Sequence, residues 1–259
     1  MDPEATSSFA RPPLDCLAPE PEAPVRTKWF SRLCCCFYAG NLYSQVVVPQ
    51  TCLLPPQTAM NYGKKTLVLD LDETLVHCSL HGLADPDLVF SLEILDKLYS
   101  VFVNLRPGVG EFLEQMSTNY EIVVFTASMR NYADKVLDLI DPQGFVSFRL
   151  YRDHCNQRLE GMVKDLALLG RDLAKVVMID NSQVSFMLQP DNGIHICNFY
   201  EGLDDELEQL YPLLQELIDA EDVRPVLRNQ HKTMSSKVTV DLGEVRSDLN
   251  SPRLPQMCD

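Results

Sequence analysis

Three short apolar runs constrain this chain more than anything else in it. They are Thr66-Leu67-Val68-Leu69, Glu121-Ile122-Val123-Val124-Phe125 and Lys175-Val176-Val177-Met178-Ile179. Each is apolar at consecutive positions and too short for a buried helix, so each reads as a strand with both faces covered. Strands of that kind belong to parallel sheets, whose crossover helices bury the two faces. The segments between them supply such helices. Pro107 can start one over Gly108–Met116, and Asn131–Ile140 has helical spacing through Val136, Leu137 and Ile140. Asp165–Leu169 reads as a short helix closed by Gly170. Leu203–Ile218 carries apolar residues at 203, 207, 210, 214, 217 and 218, the pattern of one amphipathic helix. Val89 to Val103 suggests strands and a hairpin, Phe145–Tyr151 a strand, and Gly193–Asn198 a fourth core strand. The expected class is α/β, a parallel sheet flanked by helices.

The chain divides by composition. Residues 1–62 hold 9 of the 17 Pro, including Glu20-Pro21-Glu22-Ala23-Pro24 and Leu54-Pro55-Pro56, poor material for helix or strand. They read as a disordered Pro-rich leader. Residues 63–231 read as the folded domain and 232–259 as a polar, flexible tail. The net charge is −15, and residues 63–231 carry 14 basic and 28 acidic side chains of it. That surface argues against direct nucleic-acid binding and favours partners with basic segments.

No run approaches the roughly 20 apolar residues of a membrane-spanning helix. Met1-Asp2-Pro3-Glu4 lacks the basic start and apolar run of a secretory signal. Nine Cys, an odd number without any CxxC pair, suggest reduced thiols and no structural zinc. An intracellular protein, in nucleus or cytoplasm, is expected.

In open parallel sheets, function sits just past the carboxyl ends of the strands. The first run leads into Asp70-Leu71-Asp72-Glu73-Thr74. Alternate side chains of a strand share a face, so Asp70 and Asp72 can meet at the sheet edge. Two carboxylates there repel unless a cation joins them, which invites Mg²⁺. One can then attack phosphorus while the other carries a proton. The second run ends in Thr126-Ala127-Ser128, where a hydroxyl can hold a phosphate oxygen. The third ends in Asp180-Asn181-Ser182, oxygen ligands of the type a hard cation prefers. Lys164 lies between them in sequence and can neutralise a phosphoryl group. Taken singly, these residues also read as an acidic turn, a helix N-cap, an Asx turn and a surface lysine.

In this order, however, they resemble the motif series of the haloacid dehalogenase superfamily. Asp70-Leu71-Asp72-Glu73-Thr74-Leu75-Val76-His77, Asn104-Leu105-Arg106-Pro107-Gly108, Val124-Phe125-Thr126-Ala127-Ser128, Val163-Lys164-Asp165-Leu166 and Ile179-Asp180-Asn181-Ser182 resemble the small C-terminal-domain phosphatases. Those belong with the FCP/SCP-like protein serine/threonine phosphatases, and the resemblance covers roughly residues 64–231. It implies a haloacid-dehalogenase-like Rossmannoid sheet with a small β insertion and no large cap.

The resemblance implies roles as well. Asp70 is the nucleophile that forms an aspartyl-phosphate, and Asp72 the general acid and base. Mg²⁺ is held by the Asp70 carboxylate, the Asp72 backbone carbonyl and Asn181. Asp180 orients Lys164 and the metal's waters. Thr126 and Lys164 bind the phosphoryl oxygens. Arg152 contacts substrate, and Tyr132 forms one wall of a substrate pocket. Leu80 stands where relatives that read proline-rich polymerase repeats carry an aromatic residue, so the preferred peptide is open.

The implied substrate is a phosphorylated protein or peptide, such as the RNA polymerase II C-terminal domain or another phosphoprotein. The spacing gives a separate reason. Asp70 to Thr126 spans 56 positions and Thr126 to Lys164 spans 38, room for a hairpin or small sheet rather than an enclosing cap. The alternatives are a small-molecule phosphatase and a non-catalytic binding module on a phosphatase fold.

Two further groups stand out. Arg26, Lys28 and Arg32 interleave with Trp29, Phe30 and Leu33 just before Cys34, Cys35 and Cys36. That composition suits S-acylation and peripheral attachment to an anionic leaflet; the competing reading is a leader with inert thiols. Cys78 and Cys155 read as packing residues, and His77, His154 and His195 share no zinc spacing.

Overall fold

The structure, a computed structural model, describes residues 52–230. Its centre is a five-stranded parallel sheet in the order β10-β9-β1-β5-β6. The three apolar runs form β1 (Lys65–Leu69), β5 (Tyr120–Phe125) and β9 (Val176–Asp180), with β1 in the middle. β6 (Val146–Leu150) and β10 (Gly193–His195) close the two sides.

The alternation of side chains along these strands builds two cores. Leu67, Leu69, Ile122, Val124, Val177 and Ile179 face one of them, with α1 (Val109–Asn119) and α2 (Arg130–Ile140). Val68, Val123, Phe125, Val176 and Met178 face the other, with Leu54, Leu166 and Leu169. Consecutive apolar residues were required because each face of the sheet has its own core.

A smaller antiparallel sheet interrupts the chain between β1 and α1. It consists of β2 (Val76–Ser79), β3 (Leu88–Ile94) and β4 (Lys97–Leu105), in the order β2-β4-β3. The expected hairpin is β3–β4, turning at Leu95 and Asp96, which both have positive φ (51° and 58°). β7 (Asn156–Gln157) and β8 (Met162–Val163) form a second, minimal hairpin. The short helix after Lys164 is a 3-10 turn over Leu166–Leu169. It ends, as expected, on Gly170 at φ 74°, where a Cβ would lie 2.7 Å from the Cys52 Cβ.

Two expectations need correction. The single helix over Leu203–Ile218 is two pieces, α3 (Glu206–Gln209) and α4 (Tyr211–Asp219). Pro212 sits in the first turn of α4, where its missing N–H costs nothing, but it cannot continue a helix from α3. Leu203 is exposed instead of joining the buried stripe of Leu207, Leu214 and Leu217.

The packed region also begins before residue 63. Leu54 is buried in the second core, Leu53 N donates to Leu168 O (2.8 Å), and Asn61 Nδ2 donates to Ser147 Oγ (2.8 Å). Most of the expected leader, with Cys34, Cys35 and Cys36, and the tail from 232 lie outside the described residues. Among the described residues no helix is long and apolar enough to cross a membrane.

Arg106 ties the insertion to the main sheet. It is fully buried, donates to both carboxylate oxygens of Asp204 (2.9 Å each), and reaches Thr74 O and Cys197 O at 2.9 Å. Arg106→Met is expected to destabilise the protein by about 3 kcal/mol, because it strands Asp204 and two carbonyl groups. Urea denaturation measures this. A loss under about 1 kcal/mol would mean that the pair behaves as an exposed surface bridge.

Candidate active site

Asp70 directly follows β1, and its N–H still donates to Ile179 O (3.0 Å), so it is held against β9. The chain then turns tightly. Glu73 takes a left-handed φ of 57°, its N–H donates to Val76 O (2.7 Å), and its carbonyl accepts from Phe199 N (2.8 Å). Strain at a non-glycine residue beside a strand-end carboxylate marks a loop fixed by its surroundings.

Lys164 enters from β8 and is buried with Asp70 and Asp180. Its Nζ donates to Asp70 Oδ1 (2.5 Å) and Asp180 Oδ2 (2.6 Å). Ser182 N donates to the other Asp180 oxygen (2.8 Å). The Asp70 carboxyl is held at about 7: burial pushes it up, Lys164 pulls it down, and the charges of Asp180 and Asp72 push it up. Burial works against the Lys164 ammonium, yet the two carboxylates more than compensate and hold it above its ordinary range.

Asp72 turns to a different set of partners. It accepts from the Tyr132 hydroxyl (2.6 Å) on Oδ1, and from Ser128 Oγ (2.7 Å) and Thr126 Oγ1 (3.3 Å) on Oδ2. Thr126 is itself buried, and its Oγ1 also accepts from Ser128 N (2.9 Å). Asn181 follows β9 and is oriented by Thr74, whose Oγ1 donates to Asn181 Oδ1 (3.3 Å) and accepts from its N–H (3.2 Å). Asn198 holds the Asn181 amide nitrogen at 2.8 Å.

Every strand-end residue singled out in the sequence is therefore at the carboxyl edge of the sheet. Asp70, Lys164 and Asp180 form one linked group. Asp72 and Thr126 form a second, and Asn181 with Thr74 a third. Tyr132, expected only as a pocket wall, also bonds the Asp72 carboxylate. Ser128 and Thr74 were quoted within motifs without these contacts. Asn198 carried no signal in the sequence.

Leu80, Tyr132 and Arg152 line a shallow pocket of about 190 Å³ together with Met129 and residues of β3 and β4. Arg152 is tethered there by Nε to Ala127 O (2.6 Å). Burial pushes the Cys78 thiol in the same wall up to about 12, which keeps it protonated and unreactive at neutral pH.

The donor set fits a hard cation. Among the described residues no three His, Cys, Asp or Glu side chains converge on one point. A mixed set of the Asp70 carboxylate, the Asp72 carbonyl and the Asn181 amide oxygen is all-oxygen, as Mg²⁺ prefers.

Three carboxylates, a hydroxyl and a buried lysine thus gather at the strand ends, where open parallel sheets carry their ligand sites. The chain matches the family of NLI interacting factor-like phosphatases over residues 65–224, and it belongs to that family. It is 46% identical over 196 residues to the "CTD small phosphatase-like protein 2" of Dictyostelium discoideum, covering 75% of this chain and 34% of that protein. It is 42% identical over 182 residues to the human "Carboxy-terminal domain RNA polymerase II polypeptide A small phosphatase 2", covering 70% of this chain and 67% of that one. A solved structure of Fcp1, an RNA polymerase II CTD phosphatase, is similar at 23% identity and a TM-score of 0.46, covering 73% of this chain and 55% of that one. The match thus spans from a third to two thirds of these relatives.

Proposed function

We propose that this chain is a Mg²⁺-dependent protein serine/threonine phosphatase acting through an aspartyl-phosphate. The observation that carries the reading is the buried Asp70–Lys164–Asp180 group set beside a separately held Asp72. Two carboxylates in different environments can take different roles.

Asp70 attacks phosphorus and forms the acyl phosphate; the serine oxygen leaves with a proton from Asp72. Asp72 then takes a proton from the water that hydrolyses the acyl phosphate. Tyr132 and Ser128 hold the Asp72 carboxylate for both steps. Lys164 and Thr126 bind the phosphoryl oxygens, and Asp180 keeps Lys164 in place. Asp70, the Asp72 carbonyl and Asn181 would hold Mg²⁺, with Asp180 orienting its waters. Bound there, the ion offsets the negative charge that gathers as phosphorus is transferred.

The substrate in this reading is a phosphorylated protein or peptide. In this reading the substrate chain lies against the shallow pocket lined by Leu80, Tyr132 and Arg152, next to Ser128, which bonds Asp72. The RNA polymerase II C-terminal domain is one candidate, as the names of the relatives suggest, and another phosphoprotein is the other. A nuclear or cytoplasmic location goes with either. Acylation at Cys34, Cys35 and Cys36 is part of the proposal on sequence grounds alone.

Turnover of phosphoserine peptides tests the reading. Activity should require Mg²⁺ and disappear in EDTA. Ca²⁺ should support it poorly, since its looser, larger coordination shell misaligns the in-line attack. Full activity in metal-free buffer, or none on any phosphopeptide, would overturn the assignment.

A further inference from the structure

The segment that follows β10 is pinned at three points. Cys197 O accepts from Arg106 Nη2 (2.9 Å), Phe199 N donates to Glu73 O (2.8 Å), and Tyr200 O accepts from Asn104 Nδ2 (3.1 Å). The Tyr200 ring also meets His77 of β2 edge-on, with centroids 5.2 Å apart. The bond to Glu73 sets this segment beside the turn that carries Asp72. Asn198 lies in the middle of the stretch, and its side chain forms none of these anchors.

That side chain is exposed, yet both ends of its amide are paired. Oδ1 accepts from Asn181 Nδ2 (2.8 Å), and Nδ2 donates to the Tyr200 hydroxyl (3.0 Å). Asn181 in turn has every polar atom engaged. Its N–H donates to Thr74 Oγ1 (3.2 Å), its Oδ1 accepts from the same hydroxyl (3.3 Å), and its carbonyl oxygen lies 2.9 Å from His195 Nε2.

The backbone contacts fix where Asn181 sits. The side-chain contacts fix which end of its amide is turned toward Thr74. Thr74 alone does not choose, because a hydroxyl can donate to the oxygen or accept from the nitrogen. Asn198 does choose. With its oxygen toward Asn181, a half-turn of the Asn181 amide alone would set two carbonyl oxygens against each other. The same half-turn would put an NH₂ group where the oxygen now lies, and an amide NH₂ does not ligate a hard cation.

We infer that Asn198 is a positioning residue for Asn181, keeping the amide oxygen turned to the place where it can ligate Mg²⁺. The inference rests on the proposed metal site, in which Asn181 is a ligand. Asn198 acts through the Asn181 amide, and its own amide is tied through Tyr200 to β2 and β4 of the insertion. Partners that orient a ligand in this way typically contribute about 10- to 100-fold in metal affinity, and an exposed one belongs at the lower end.

The test measures binding of the ion alone, without substrate or turnover. Mn²⁺ is the probe, and the electron paramagnetic resonance signal of free Mn²⁺ gives its affinity for the full chain, with Mg²⁺ as competitor. Asn181→Ala should weaken Mn²⁺ binding by at least about tenfold, and Asn198→Leu by about tenfold. With Asn181→Ala already in place, Asn198→Leu should change the affinity by less than about twofold, because the residue it acts through is gone. If the leucine variant does not fold, Asn198→Ala takes its place under the same limits.

Asn198→Leu protein that binds Mn²⁺ within about twofold of wild type, while Asn181→Ala does not, would overturn the positioning role and leave the metal site standing. An effect of full size in the Asn181→Ala background would overturn it too, by showing a route other than Asn181. If Asn181→Ala binds Mn²⁺ as wild type does, the proposed metal site falls and the role of Asn198 with it.

Discussion

Asp70→Asn is expected to lower phosphoserine-peptide turnover by at least about 10⁴-fold, since an amide cannot accept the phosphoryl group. The fold should survive. Lys164 keeps its 2.6 Å bond to Asp180, and the new amide oxygen can still accept from the ammonium. The replacement also removes a buried charge, so the melting temperature should hold or rise. Asp72→Asn should fail for another reason. It loses proton transfer, a cost of about 10² to 10⁴ on a serine leaving group and much less on an aryl phosphate that leaves unaided. Steady-state kinetics on both substrates separates the two variants. Clean, folded Asp70→Asn protein that retains more than about one per cent of wild-type turnover would remove the aspartyl-phosphate mechanism.

Lys164→Met should cost both activity and stability. The ammonium is 1% exposed and lies between two carboxylates, so its removal leaves Asp70 and Asp180 facing each other in the interior. Breaking a buried ion pair from one side costs about 3–5 kcal/mol.

The loss should also depend on pH. The folded Asp70 carboxyl stands above its unfolded value of 3.8, at about 7. Its protonated form therefore contributes stability that is complete below the unfolded value and lost as pH rises through about 7. Without the ammonium that carboxyl moves higher still, and the loss continues where the wild type has levelled off. The stability gap between variant and wild type should therefore widen above about pH 7, in EDTA, by urea denaturation at pH 6 and 8.5. A gap that stays constant or narrows would show that Lys164 does not govern the Asp70 proton.

The central sheet was legible because its strands need apolar residues on both faces, and few other structures tolerate Ile122-Val123-Val124 or Val176-Val177-Met178 in a row. The strand-end cluster was legible for a related reason. Topology places the residue after a parallel strand at one edge, so Asp70, Thr126 and Asp180 could be grouped without knowing any contact. What stayed hidden was long-range and side-chain specific. Tyr132 reaches Asp72 across 60 positions, and no local pattern announces the direction of a hydroxyl. β2 was missed because Val76-His77-Cys78-Ser79 is only four residues long and is held as a strand by pairing with β4, 23 to 29 positions downstream. The break at Leu210 was missed because the apolar spacing from 203 to 218 is helical throughout, while Pro212 overrides it through the backbone. Leu54 was assigned to a leader because the two prolines after it disguise a residue buried in the core.

The pairing of β1 has a consequence for how the protein comes into being. Its neighbours lie 55 residues downstream in β5 and 110 downstream in β9. Lys164 and Asp70 are 94 positions apart. The contacts of Asp70 and Asp72 with Lys164, Thr126, Ser128 and Tyr132 span 54 to 94 positions, so loop-closure entropy must be met before any of these contributes. Folding should fall at the slow, millisecond-to-second end for domains of this size. A chain still emerging from the ribosome carries Asp70 and Thr126 early but lacks the strand that sets Asp180 beside them. On the proposed function, such a chain is expected to stay inactive until β9 has left the exit tunnel and docked, so that competence arrives in one late step.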